Sequence, residues 1–113
     1  MEDILIAQDK LPKLFLKNIK DNYEYEDGAI IIRNVLNGPG VSIAIFIIDK
    51  EQGLIEHAAS ADALVYVIEG EISFTISDQK HTLKDGSLLR LSAGTPHSFV
   101  ALGKSKMILI VLN

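Results

Sequence analysis

From residue 29 onward the chain is a succession of short runs rich in Ile, Val and Leu, most of them separated by turn signals, and this pattern constrains the fold more than any other feature. Strand-like runs are read over 29–36, 41–49, 64–68, 71–77, 81–83, 87–91, 97–101 and 106–112. The connections Gly38-Pro39-Gly40, Glu69-Gly70, Ser77-Asp78-Gln79-Lys80, Lys84-Asp85-Gly86, Gly94-Thr95-Pro96 and Gly103 supply flexible or pre-bent backbone. No βαβ spacing occurs, so the pattern predicts an all-β antiparallel sandwich or barrel. Gly70 and Gly86 are expected at positive φ, which a residue without Cβ adopts easily.

Side-chain alternation refines this picture. Ile72, Phe74 and Ile76 alternate with Ser73, Thr75 and Ser77, the signature of a strand with one wet face. The runs 41–48 and 107–112 are apolar on both faces and need a second covering surface. In a chain of 113 residues that surface is expected to come from another subunit, so a homodimer sharing a sheet face and the N-terminal segment is predicted.

The length suits one domain over 1–113, with an N-terminal segment of about 1–28 before a barrel of about 29–113. Pro12 suits the first turn of a helix over 12–18, with Leu11, Leu14, Phe15 and Ile19 available for burial. Such a helix would gather Lys10, Lys13, Lys17 and Lys20 on a solvated face. Tyr23-Glu24-Tyr25-Glu26 alternates aromatic with acid and reads as an exposed edge-strand end.

Composition removes several function classes. Fifteen acidic against 11 basic residues leave a net charge of −4, a poor grip on nucleic acid or an anionic membrane. The lack of cysteine excludes disulfides, thiolate metal sites and thiol nucleophiles. No apolar run approaches the roughly 20 residues of a membrane helix, and the N-terminus shows no signal sequence, so a cytoplasmic protein is expected. Neither a Gly-x-Ser-x-Gly elbow nor a phosphate-cradling glycine loop is present.

Two segments carry a more specific pattern. Gly86, Gly94 and His97 fall at the glycine, glycine and histidine of G-x5-P-x-G-x2-H-x3-N, with Ser92 and Ala101 in place of the proline and asparagine. His57 and Gly70 fall at the first histidine and last glycine of G-x5-H-x-H-x3-E-x6-G, with Glu51, Ala59 and Ala63 replacing the first glycine, second histidine and glutamate. In this the chain resembles the cupin family, small β-barrels recognised by these two motifs. The resemblance implies a single-domain, cupin-type double-stranded β-helix, a jelly-roll barrel, here with a short N-terminal helical segment.

In cupins with both motifs intact, three histidines and a glutamate bind iron, manganese, nickel or zinc inside the barrel. Carried over, that leaves His57 and His97 as candidate metal ligands, fewer than the three protein ligands usual in catalytic sites. Asp62 precedes the lost carboxylate position by one residue and should point away in a regular strand. His81 matches no ligand position and is expected at the surface. No tightly bound cofactor is therefore expected.

Three functions remain. The preferred one is a cupin that binds a small, mostly apolar molecule in the barrel, lined by His57, His97, Ala59, Ala63, Tyr66, Phe99 and Met107. The second is a cupin enzyme, an isomerase, epimerase, lyase or metal-dependent dioxygenase, using His57 and His97. The third is a structural or interaction protein with a filled barrel.

Overall fold

The computed structural model describes the backbone of residues 3–7 and the whole of residues 14–113. Its strands are β1 (Asp3–Ala7), β2 (Ala29–Gly38), β3 (Val41–Ile48), β4 (Gly53–His57), β5 (Asp62–Glu69), β6 (Glu71–Ile76), β7 (Gln79–Lys84), β8 (Leu88–Leu91), β9 (His97–Ala101) and β10 (Ser105–Leu112), with one short helix, α1 (Ile19–Asn22). They form a six-stranded sheet ordered β1-β2-β3-β10-β5-β8 and a four-stranded sheet ordered β4-β9-β6-β7. Every pairing is antiparallel except β1 with β2. This is the predicted all-β jelly roll with a short helical segment.

Two of these strands, β1 and β4, have no counterpart among the predicted runs. The strand β4 mixes Gly53, Glu56 and His57 with Leu54 and Ile55 at a sheet edge, where only one neighbour demands an apolar face. Gly70 and Gly86 hold φ of 106° and 84° at their turns, as expected. Gly70 also lies where a Cβ would collide with the backbone of Lys104 and Ser105.

The helix lies further along the chain than predicted. Pro12, with Lys10, Leu11 and Lys13, falls outside the described residues, and residues 14–18 are not helical. Asn18 instead caps the helix, its side chain accepting from Asp21 N at 3.0 Å while its own N–H donates to Asn22 Oδ1 at 3.2 Å. A side-chain acceptor that satisfies a free N–H marks where a helix begins. Lys17 lies over the Tyr23 ring at 4.6 Å.

Between the sheets lies a core of Ile30, Phe46, Ile48, Val65, Val67, Ile72, Phe74, Phe99 and Met107, among others. A second buried cluster, Ile31, Ile45 and Ile47, sits on the opposite face of β2 and β3 and is packed by Ile19, Tyr23, Tyr25 and Val35. The two tyrosines therefore do not form an edge strand; they cover the outer face from an extended segment. Part of the second surface required by the two-faced apolar strands comes from the chain itself.

One polar cluster pins that cover. Lys106 is 2% exposed on this face. It donates to Lys20 O in α1, pairs with Glu69 at 3.5 Å and lies 5.0 Å from the Tyr25 ring centre. The Tyr25 hydroxyl donates to Glu69 at 2.7 Å. Burial, then this bond and the charge of Glu69, push the Tyr25 phenol well above its ordinary range. No helix among the described residues is long and apolar enough to cross a membrane.

Candidate functional site

Residue parity in β5, β9 and β10 aims one set of side chains into the space between the sheets. Ala63, Val65 and Val67 are buried in β5, Phe99 and Ala101 in β9, and Met107 in β10. Near one end this space opens into a cavity of about 90 Å³. Phe46, Phe74 and Phe99 form an aromatic wall, with Phe99 5.2 Å from Phe74 and 6.5 Å from Phe46 between ring centres. Ala59, Ala63 and Met107 line it as predicted.

Tyr66 does not. Alternation places it on the opposite face from Ala63 and Val65, and it is 42% exposed opposite Leu88 and Ile108. The same rule adds Leu109 and Val111, which share the parity of Met107, to the lining. Ala61 and Ser92, from the loops around the cavity mouth, also line it.

His57 and His97 lie at that mouth. They are register partners across β4 and β9, with ring centres 4.3 Å apart and planes inclined by 60°. The pairing slips by one residue, since Leu54 faces Phe99 while His57 faces His97. The extra residue on β4 lets Leu54 and His57, of opposite parity, both line the cavity. Each ring is fixed by the backbone two residues before it: His57 Nδ1 donates to Ile55 O at 3.1 Å, and His97 Nδ1 to Thr95 O at 2.9 Å. The two rim loops are joined by a bond from Gly94 N to Ala59 O at 2.8 Å.

The other candidate groups lie elsewhere. Asp62 turns away from the cavity, its Oδ1 accepting from Ala93 N at 2.8 Å and its Oδ2 3.9 Å from Arg90. His81 is exposed on β7. Among the described residues no group of three or more His, Cys, Asp or Glu side chains is placed to hold a metal ion. At the mouth, methyl groups of Ala59 and Ala63 stand where a four-ligand shell needs an imidazole and a carboxylate, so the residues present do not fit that shell.

Most of the chain has counterparts among solved structures. It is similar to a conserved protein of unknown function from Streptococcus pyogenes (TM-score 0.84, 22% identity, covering 93% of this chain and 92% of that one). It is also similar to a cupin superfamily protein from Desulfitobacterium hafniense (TM-score 0.83, 23% identity, 92% of this chain and 95% of that one). A cupin 2 conserved barrel domain protein from Leptotrichia buccalis shares 31% identity at a TM-score of 0.80 over 86% of this chain, which spans 47% of that longer one. No curated protein matches. The family model for the cupin domain matches residues 44–113, a span that holds every residue lining the cavity, and the chain belongs to the cupin family.

Proposed function

We propose that this cupin binds a small, mostly apolar molecule in the barrel interior, oriented by His57 and His97 at the rim. The observation that carries the reading is the wall of the cavity. Aliphatic, aromatic and alanine side chains surround it, and its polar side chains are the two histidines and Ser92. Ligand pockets are commonly built in this way, from an apolar wall and a few convergent polar groups. The volume of about 90 Å³ exceeds the roughly 10–15 Å³ one water needs and falls short of the about 150 Å³ that accepts benzene. The buried part of the ligand is thus a short alkyl or similar group, and the rest projects past the exposed His57 and Ala59.

Xenon, followed through methyl NMR resonances, tests the reading. Ala63, Val65 and Met107 should shift in the wild type, and Val65 and Met107 should stay still in Ala63→Leu, whose larger side chain fills the space. Unmoved methyls in the wild type would sink it. An enzymatic reading on the same histidines draws less support: each Nδ1–H is held by a main-chain carbonyl, and among the described residues no carboxylate lines the cavity to orient either ring.

We also propose that the outer face of the larger sheet seats a second copy of the chain. Register places Ile110 between Ile43 and Leu64, and Ile108 beside Tyr66, which faces Leu88. The N-terminal segment leaves Tyr66 42%, Leu88 66% and Leu112 47% exposed. A two-fold contact would let these rows cover their own equivalents. Light scattering should give a dimer that Leu88→Glu converts to monomer; a wild-type monomer at high concentration would remove the proposal.

A further inference from the structure

The hydrogen bonds of the two rim rings restrict the head group that the pocket can accept. A main-chain carbonyl oxygen only accepts, so the bonds to Ile55 O and Thr95 O place a hydrogen on Nδ1 of both His57 and His97. In the neutral imidazole the remaining ring nitrogen, Nε2, is then an unprotonated acceptor. Neither Nε2 has a hydrogen-bond partner among the described residues. The ring centres are 4.3 Å apart, and both rings line the same cavity. Among the described residues the cavity wall adds no lysine, arginine, aspartate or glutamate.

We infer that the ligand's head is a nitrogen carrying at least two hydrogens, a primary amine or a primary amide, which donates one hydrogen bond to each Nε2; this rests on the pocket reading above. A hydroxyl has one hydrogen and satisfies one ring. A carboxylate, ketone or ether sets lone pairs against lone pairs, with no cation in the wall to offset them. An ammonium offers three N–H donors and a primary amide two, so either can serve both rings. The open rim lets an ammonium keep part of its hydration, while an amide needs less of it.

Two measurements on the full chain test this, at about pH 8.5, above the range in which imidazoles ordinarily take up protons. Long-range proton–nitrogen NMR correlations should show Nδ1 protonated and Nε2 bare in both rings; a hydrogen on either Nε2 would overturn the inference. Isobutylamine, isobutyramide, isobutanol and isobutyrate are then titrated against the methyl resonances of Ala63 and Met107. The amine or the amide should bind at least about tenfold more tightly than isobutyrate, a preference that His57→Phe/His97→Phe should reduce to about twofold or less. Whichever of the two binds more tightly identifies the head. Equal affinity for all four overturns the head-group inference and leaves the pocket standing; no shift with any probe overturns both.

Discussion

His57 and His97 meet as cross-strand partners, and each gives its Nδ1 hydrogen to the carbonyl two residues before it in the chain. Their rings are therefore oriented by local backbone and brought together by a long-range pairing. The pairing depends on the irregularity in β4, where three residues from Leu54 to His57 span what two residues from Phe99 to His97 span on β9. Local bonds aim the rings; the slipped register decides that they aim at the same space.

Gly53 governs that register. A Cβ there would collide with the carbonyl oxygen and backbone of Phe99, so β4 approaches β9 this closely only through glycine. Gly53→Ala is expected to cost about 2 kcal/mol, as overpacking of rigid neighbours does, and to shift the His57 ring resonances. Urea unfolding and NMR check this; an unchanged midpoint and spectrum would mean that β4 has slack.

Ala59 and Ala63 separate this mouth from a four-ligand metal shell. Both line the cavity with His57 and His97, so Ala59→His/Ala63→Glu should bind a divalent metal near one equivalent, while the wild type carries far less. Elemental analysis after expression without an affinity tag measures this. A double variant that stays metal-free would show that the backbone at the mouth, not the lost side chains, forbids the shell.

Lys106 and Glu69 hold the N-terminal cover on the larger sheet. Removing one partner of a buried pair costs roughly 3–5 kcal/mol. The lower end is expected for Lys106→Met, because the Glu69 side chain remains 24% exposed. Lys106→Met/Glu69→Leu should recover most of the loss, since it leaves no charge without its partner. Denaturation midpoints of the three proteins decide this, and a double variant no better than the single would refute it.

Asp49 gives stability an acid limb. Its carboxylate accepts from Gly28 N at 2.7 Å, and this bond, followed by one from Lys50 N, holds its pKa below the ordinary value. A folded value below the unfolded one stabilises the protein above the unfolded pKa, and the gain disappears as pH falls through the folded value. Asp49→Asn should therefore be less stable than wild type at pH near 6, with the gap closing below about pH 4. Denaturation across that range checks it; a gap independent of pH would assign the role to shape alone.

Much of the barrel was legible because strand parity is a local property. The cavity side of Ala63 was implied by the cupin motif and that of Phe99 by its shared parity with His97, and Gly70 and Gly86 mark turns because few other residues accept their φ. Tyr66 shows the cost of setting parity aside: three residues from Ala63 in a regular strand, it could only face the other way. The same parity correctly turned Asp62 outward.

By itself the sequence determined the all-β class, most of the turn positions and the alternating faces of β5, β9 and β10, since these depend on φ, ψ and period-two contacts between near neighbours. Tertiary structure alone decided that Leu54 and His57 share a face, that α1 and the two tyrosines cover β3, and that Lys106 is buried against Glu69. Each of these depends on which strand or segment arrives from far along the chain. A bulge is defined by its partner, and a covering surface by what packs on it, so neither has a period that a single strand can display.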